Sequence, residues 1–306
     1  TGPSIRASGT DMDLRKTSYI KTLVPLFFSG LFFGCAISVK WIGFYAGAGI
    51  AFLFFVKIYM EWKSFGYGRI VHGGKALAAR NTLLTCIICI FFFIAIPAVI
   101  YSVSYTPIFQ IQSAAIDGQK FTIAEMADNI IASQKHMFSY HEGVTQDHPF
   151  KSSWYSWPIM YRPVYYYSAP IKAEGQWGTI VSLGNPVIWW TGVAALIGTA
   201  IVSIKKRDKR GLFIFAGYLS ILLPWAVAPR SITFLYHYFA CVPFLILAIV
   251  YMASYFMYGN SKIKKYVNLY VLLSALVFAA FYPAMTGVKV SVEYIELLRW
   301  LPSWWF

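Results

Sequence analysis

Residues 187–228 read VIWWTGVAALIGTAIVS (187–203), then IKKRDKR (204–210), then GLFIFAGYLSILLPWAVA (211–228). Two apolar runs flank a turn that packs Lys205, Lys206, Arg207, Lys209 and Arg210 around a single acid, Asp208. A crossing helix needs roughly 20 mostly apolar residues. Inside a bilayer such a run satisfies its backbone polar groups by becoming a helix. The stretch therefore predicts two antiparallel membrane helices joined by a cationic turn, and Lys and Arg concentrate in turns on the cytoplasmic side.

The pattern repeats along the chain. Seven candidate spans occur: 22–39, 42–60, 83–104, 187–203, 211–228, 234–257 and 266–286. The first two are nearly continuous. As one helix, 22–60 would be about 58 Å long, too long for a core of about 30 Å, so a tight turn is predicted at Lys40-Trp41. The fold class is all-α, a polytopic membrane protein. Three regions follow: a three-span part over 1–104, a loop domain over 105–186, and a four-span part over 187–306 ending in a tail.

Composition agrees. Of 306 residues, 58% are hydrophobic, 19% aromatic and only 12% charged, with mean hydropathy +0.57. Soluble domains carry about 25% charged residues. An ordinary soluble enzyme, a disordered chain and a nucleic-acid-binding domain are thereby excluded. The formal net charge of +14 reports orientation instead. Residues 1–21, 57–82, 204–210 and 258–265 hold seventeen cations and four acids, while the opposite side holds nine cations and eight acids. The first side, at +13, is predicted to be cytoplasmic, and 105–186 and 287–306 to be outside. Residues 1–21 have no signal-peptide core.

Cys35, Cys86, Cys89 and Cys241 all fall in spans. The Cys86/Cys89 pair lies in an apolar run, where small helix residues are the plain reading.

The long interruption carries the polar chemistry. FTIAEMADNIIASQKHMF (121–138) predicts an amphipathic helix, with Thr122 and Glu125 as a capping box and Phe121 and Met126 as a staple. Ile123, Met126, Ala127, Ile130, Met137 and Phe138 recur at helical spacing. The helix either packs beneath the loop or lies on the membrane surface. SYHEGVTQDHPFKSSWYSWPIMYRPVYYY (139–167) follows, dense in Pro, Trp and Tyr. Its aromatics fit an interfacial belt and fit equally a wall that stacks on sugar rings. His136, His141, Glu142, Asp147 and His148 match no strong metal-ligand spacing. No cofactor is expected, and a divalent metal is left open without support.

Two cations stand apart near membrane depth: Lys40 in GLFFGCAISVKWIGFYAG and Arg230 in WAVAPRSITFLYHYFACVPF. Each either snorkels to the interface or serves a ligand. As ligand groups they would suit the phosphate of a lipid-linked donor, since Arg makes bidentate charge-assisted bonds.

SGLFFGCAISVKWIGFYAG, HPFKSSWYSWPIMYRPVYYY, PRSITFLYHYFACVPF and the terminal LLRWLPSWWF resemble the protein O-mannosyltransferase family, bacterial-type members in particular, over essentially the whole chain from about residue 17. The resemblance implies a C-type glycosyltransferase fold and an inverting transfer of mannose from a polyprenyl-phosphate donor to Ser or Thr hydroxyls of secreted or membrane proteins. It implies a multi-pass protein of the bacterial plasma membrane, or of the endoplasmic reticulum if eukaryotic, with the active face outside. It places the catalytic acid upstream of residue 1, so that the chain is expected to be an incomplete, inactive portion taken alone. Arg230 and Lys40 would bind the donor phosphate, with Tyr236, His237 and Tyr238 as supports. His148, Trp154, Trp157 and Arg162 would line the sugar or acceptor wall. Asp147 and Glu142 are bases in principle, with a structural role preferred. Two rivals share the spans: a C-type glycosyltransferase for another sugar or a lipid acceptor, and a transporter of a lipid-linked precursor. Transport would require charges deep in several spans, whereas the charges here concentrate at span ends.

Overall fold

The computed structural model describes residues 11–66, 74–115, 118, 120–144, 147–168, 175–258, 260 and 262–306. Helices α1 (Asp11–Val39), α2 (Ile42–Gly66) and α3 (Gly74–Ile90) lead into a π-helical turn (Phe91–Ala95), then α4 (Ile96–Val103), α5 (Thr106–Ala115) and α6 (Ile123–Gly143). A 3-10 turn (Trp154–Ile159) precedes strands β1 (Val164–Ser168), β2 (Gln176–Trp177) and β3 (Thr179–Ser182). Helices α7 (Pro186–Lys206) and α8 (Lys209–Leu222) are followed by 3-10 turns at Leu223–Ala226 and Leu235–Cys241. Then come α9 (Val242–Met257), α10 (Ile263–Thr286), β4 (Val290–Ser291) and α11 (Val292–Leu297). The strands form two small antiparallel ribbons, β1 with β3 and β2 with β4. The chain divides into two compact units, Thr1–His136 and Met137–Phe306. The division falls within α6, whereas the sequence reading sets its boundaries at 104/105 and 186/187.

Five helical stretches among the described residues are long and apolar enough to cross a membrane: Ile42–Met60, Thr82–Ala115, Pro186–Lys206, Leu235–Met257 and Ile263–Thr286. Leu23–Val39 is a shorter apolar helix. Six of the seven expected spans are thus apolar helices, and the break between the first two falls at Lys40-Trp41. The expected span 211–228 differs. Its helix, α8, has 14 residues and gives way to a 3-10 turn containing Pro224. Proline lacks the N–H that would continue the α-helical ladder. The expected span 83–104 instead belongs to a helical run that continues to Ala115.

In the first unit, α1 lies against the π turn and α4. A Cβ at Gly30 would sit 2.2 Å from the Phe92 carbonyl oxygen, and one at Gly34 would sit 2.7 Å from Ile100 Cδ1. Small residues four apart let membrane helices approach closely. Gly30→Val forces backbone apart and is expected to cost about 1–3 kcal/mol. A lowered Tm in detergent, against no change for the exposed Ala48→Val, would check this.

In the second unit, α7, α8 and α9 pack together and α10 lies along β3. Asn185 caps α7, its side-chain oxygen accepting from the Val187 and Ile188 N–H groups at 3.0 and 3.3 Å. Its amide donates to the Ser274 carbonyl at 2.8 Å, tying α7 to α10. At the cationic turn, Asp208 accepts from the Arg210 backbone N–H (3.0 Å), the Arg210 guanidinium (3.1 and 2.9 Å) and the Tyr251 hydroxyl (3.1 Å). The Arg210 side-chain bonds lead these in pulling the Asp208 carboxyl down to about 2. The one acid in the turn therefore stays ionised and caps α8.

Candidate functional site

The segment between Ala226 and Leu235 is non-helical, because Pro229 and the β-branched residues around Ser231 oppose a helix. Arg230 sits there, half-buried. Its Nη2 lies 2.5 Å from His141 Nδ1 and 2.6 Å from Nε2, so the guanidinium presses on the imidazole edge. An Arg N–H can donate only to a neutral imidazole, which does not cancel the cation's charge. Next to it, the Ser231 hydroxyl donates to the Val144 carbonyl. The end of α6 thus holds the Arg230 segment in place.

A second connection is reciprocal. The Ser152 N–H donates to the Thr233 carbonyl and the Thr233 hydroxyl donates to the Ser152 carbonyl, both at 2.8 Å. The His-Pro…Trp-Pro run and the Pro-Arg…Tyr-His-Tyr run are clasped together there. Behind the clasp, Trp157 is fully buried. Its indole N–H donates to Ser152 Oγ at 3.0 Å, and its ring packs edge-on to Trp225 at 5.5 Å. His237 is 3% exposed and lies 4.2 Å from the Trp225 ring. Tyr238 is fully buried, sharing a hydrogen bond with Tyr218 at 2.9 Å. Trp157, His237 and Tyr238 are therefore packed beneath the surface, behind the groove rather than along it. Tyr236 is half-buried and stacks on Phe234 at 5.4 Å.

The remaining wall candidates lie at the surface. His148 accepts from the Phe150 N–H through Nδ1 at 3.2 Å and meets Phe234 edge-on at 4.9 Å. Trp154 is half-buried beside Tyr155. Arg162 donates from Nη1 to the Pro149 carbonyl at 2.9 Å and lies over Trp305 at 4.6 Å. A groove of about 680 Å³ opens here, lined by Lys151, Ser152, Ser156, Arg162, Ser231 and Thr233 among others. Asp147 pairs with Lys151 at 2.5 Å. That hydrogen bond, followed by the lysine's charge, holds the Asp147 carboxyl below its usual range. A general base for neutral pH needs the opposite shift. Among the described residues no group of three or more His, Cys, Asp or Glu is placed to hold a metal.

Lys40 belongs to the first unit, exposed, at the break between α1 and α2. Beside it Trp41 joins a polar cluster. Gln134 Oε1 accepts from Tyr101 (2.6 Å) and Trp41 (3.2 Å), and its amide donates to Tyr105 (2.6 Å) and the Ile130 carbonyl (3.1 Å).

The roles of His141 and Gln134 escape the sequence reading, although a signal exists. Met126, Ile130, Gln134, Met137 and His141 form one stripe of α6, each half-buried. Polar residues on an apolar stripe require partners. The capping box at the start of α6 is present: the Thr122 N–H donates to Glu125 at 2.7 Å, and the Glu125 N–H donates to Thr122 Oγ1 at 3.3 Å.

A family model described as the C-terminal four-TMM region of protein-O-mannosyltransferase matches residues 126–304. The chain belongs to the protein O-mannosyltransferase family. The match spans the end of α6, the clasp, the groove and the C-terminal tail. Among relatives, the polyprenol-phosphate-mannose–protein mannosyltransferase of Corynebacterium glutamicum is 27% identical over 309 residues, covering 91% of this chain and 57% of the relative. The protein of the same name from Mycobacterium tuberculosis is 27% identical over 241 residues, covering 68% and 45%. The chain thus spans about half the length of these curated relatives. The Saccharomyces cerevisiae protein O-mannosyltransferase Pmt1–Pmt2 complex, solved bound to the sugar donor, aligns with a TM-score of 0.51 at 20% identity. It covers 61% of this chain and 28% of that one, a likeness of fold.

Proposed function

We propose that this chain is the C-terminal part of a membrane glycosyltransferase that moves mannose from a polyprenyl-phosphate donor to Ser or Thr hydroxyls of proteins, with inversion. Relatives that carry this activity in their names, matching across most of the chain, support the reading. The observation that carries it at the site is Arg230. A half-buried guanidinium is held against His141, in a segment that runs directly into the groove-lining Ser231 and Thr233.

In the proposed reaction the acceptor oxygen attacks the anomeric carbon while the bond from that carbon to the phosphate oxygen breaks. The electron pair leaves with the polyprenyl phosphate. The hydroxyl proton passes to a carboxylate, which the proposal assigns to a part of the enzyme outside residues 1–306. Arg230 stabilises the charge gathering on the leaving phosphate, the larger share of such catalysis. The groove and the surface aromatics hold the acceptor and the sugar. The reading puts this face outside a bacterial plasma membrane; the excess of cations on the opposite loops supports the outward orientation.

The test is the full-length enzyme in vesicles with polyprenyl-phosphate mannose and a Thr-containing peptide. A mannosyl peptide of inverted anomeric configuration is expected. A product only on lipid, or only from another sugar donor, would replace the reading with a different C-type glycosyltransferase. In the same assay Asp147→Asn should retain turnover within about threefold, since general-base loss costs on the order of 10²–10⁴. Turnover lost from a folded Asp147→Asn protein would move the base into this chain.

A further inference from the structure

Beside the polar groove lies a second hollow of about 560 Å³, walled by Trp190, Leu301, Pro302 and Trp305. The two share Ile159, Tyr161 and Arg162 in their walls, so they adjoin and together make a two-part cleft. We infer that this cleft binds the acceptor polypeptide in extended form, its backbone along the groove and one bulky apolar side chain in the hollow. The inference rests on the proposed protein-acceptor function and names where its selectivity lies.

The groove offers acceptors. The Ser156 hydroxyl donates to the Ser153 carbonyl (2.7 Å), Thr233 to the Ser152 carbonyl (2.8 Å) and Ser231 to the Val144 carbonyl. Their protons are committed, and their lone pairs remain for a ligand's N–H groups. Such a lining suits the N–H groups of peptide amides. Lys151 is paired with Asp147 at 2.5 Å, which offsets its charge. Arg162 stands at the junction. It has committed Nη1 to the Pro149 carbonyl, and its guanidinium carbon lies over the Trp305 ring at 4.6 Å. The fork's remaining amino group suits a peptide carbonyl.

The hollow is apolar for a related reason. Trp190 donates its indole N–H to the Ile159 carbonyl and Trp305 donates to the Pro302 carbonyl, both at 3.1 Å. With both indole protons satisfied, the rings present only apolar surface. The hollow is also preformed. Trp304 donates to the Met160 carbonyl at 2.8 Å and the Ser303 hydroxyl donates to the Tyr161 carbonyl, fastening the tail to the 3-10 turn. Met160 itself takes the left-handed conformation at φ 58°, which that fastening sustains. A preformed site spares a ligand the cost of ordering it.

The experiment measures kcat/KM of the full-length enzyme for peptides with one acceptor Thr in a Gly-Ser background, with a single Leu moved two to six residues to either side. At one offset Leu should raise kcat/KM on the order of tenfold, the size expected for burying one such side chain. Trp305→Ala should bring the Leu-to-Gly ratio toward one, and Trp305→Phe should keep most of it. As a second readout, a peptide bearing benzophenone at the favoured offset should crosslink to 301–305. No offset preference, a preference that survives Trp305→Ala, or crosslinks confined elsewhere would overturn the inference. Absence of mannosyl transfer to every peptide would instead reject the function on which it rests.

Discussion

Arg230→Ala in the full-length enzyme is expected to cut mannosyl transfer about 10²–10³-fold, the usual effect of removing one donor aimed at developing charge. Donor affinity should fall with it. The guanidinium lies 2.5 Å from the His141 imidazole, which holds it in place. Arg230→Lys should recover only part of the activity, because an ammonium retains the charge but not the planar two-pronged donor. His141→Ala should show a milder defect, since it removes the guanidinium's support and not its charge. Donor saturation curves at fixed acceptor concentration separate these effects. Wild-type donor KM and turnover in Arg230→Ala would take Arg230 out of the site.

The second large effect is on stability. Trp157→Ala should cost about 3–5 kcal/mol, as for other buried aromatic truncations. The ring has no exposed surface and packs against Trp225 and His237. Its removal also takes away the indole N–H donated to Ser152, one half of the clasp to Thr233. Against a total stability of about 5–15 kcal/mol, that loss should appear as a marked fall in Tm and in yield. Trp157→Phe should fall much less. A wild-type Tm for Trp157→Ala would mean that the core assigned to this ring is held by something else.

The membrane body was legible in the sequence because the bilayer imposes it. A run such as Ile42–Met60 has one stable form in lipid, and a Lys beside a Trp interrupts it visibly. The shortness of α8 was less legible, because hydropathy continues through Leu223 while the backbone obeys Pro224. At the site, residue types were readable and their company was not. Trp154 and Trp157 are three residues apart with the same side chain, yet one is at the surface and one fully buried. The difference is set by Trp225 and His237, which arrive from a distant part of the chain. The clasp joins residues 81 apart, and the Trp304–Met160 bond joins residues 144 apart. No local pattern encodes such pairings. Arg230 stands out in the sequence as a lone charge near the membrane, but its contact with His141, 89 residues away, has no local signal.

The widened turn at Phe91–Ala95 has a consequence for everything that follows it in the helix. A π turn accommodates one residue more than an α-helix would, so each later side chain is set about 100° around the axis from its regular bearing. Tyr101 and Tyr105 both lie beyond it, and both bond to Gln134. Deleting one residue from that turn would leave composition and hydropathy almost unchanged while swinging both hydroxyls away from the amide. The turn acts as a phase setter: a single surplus residue decides which face of the helix meets the polar cluster beside Lys40.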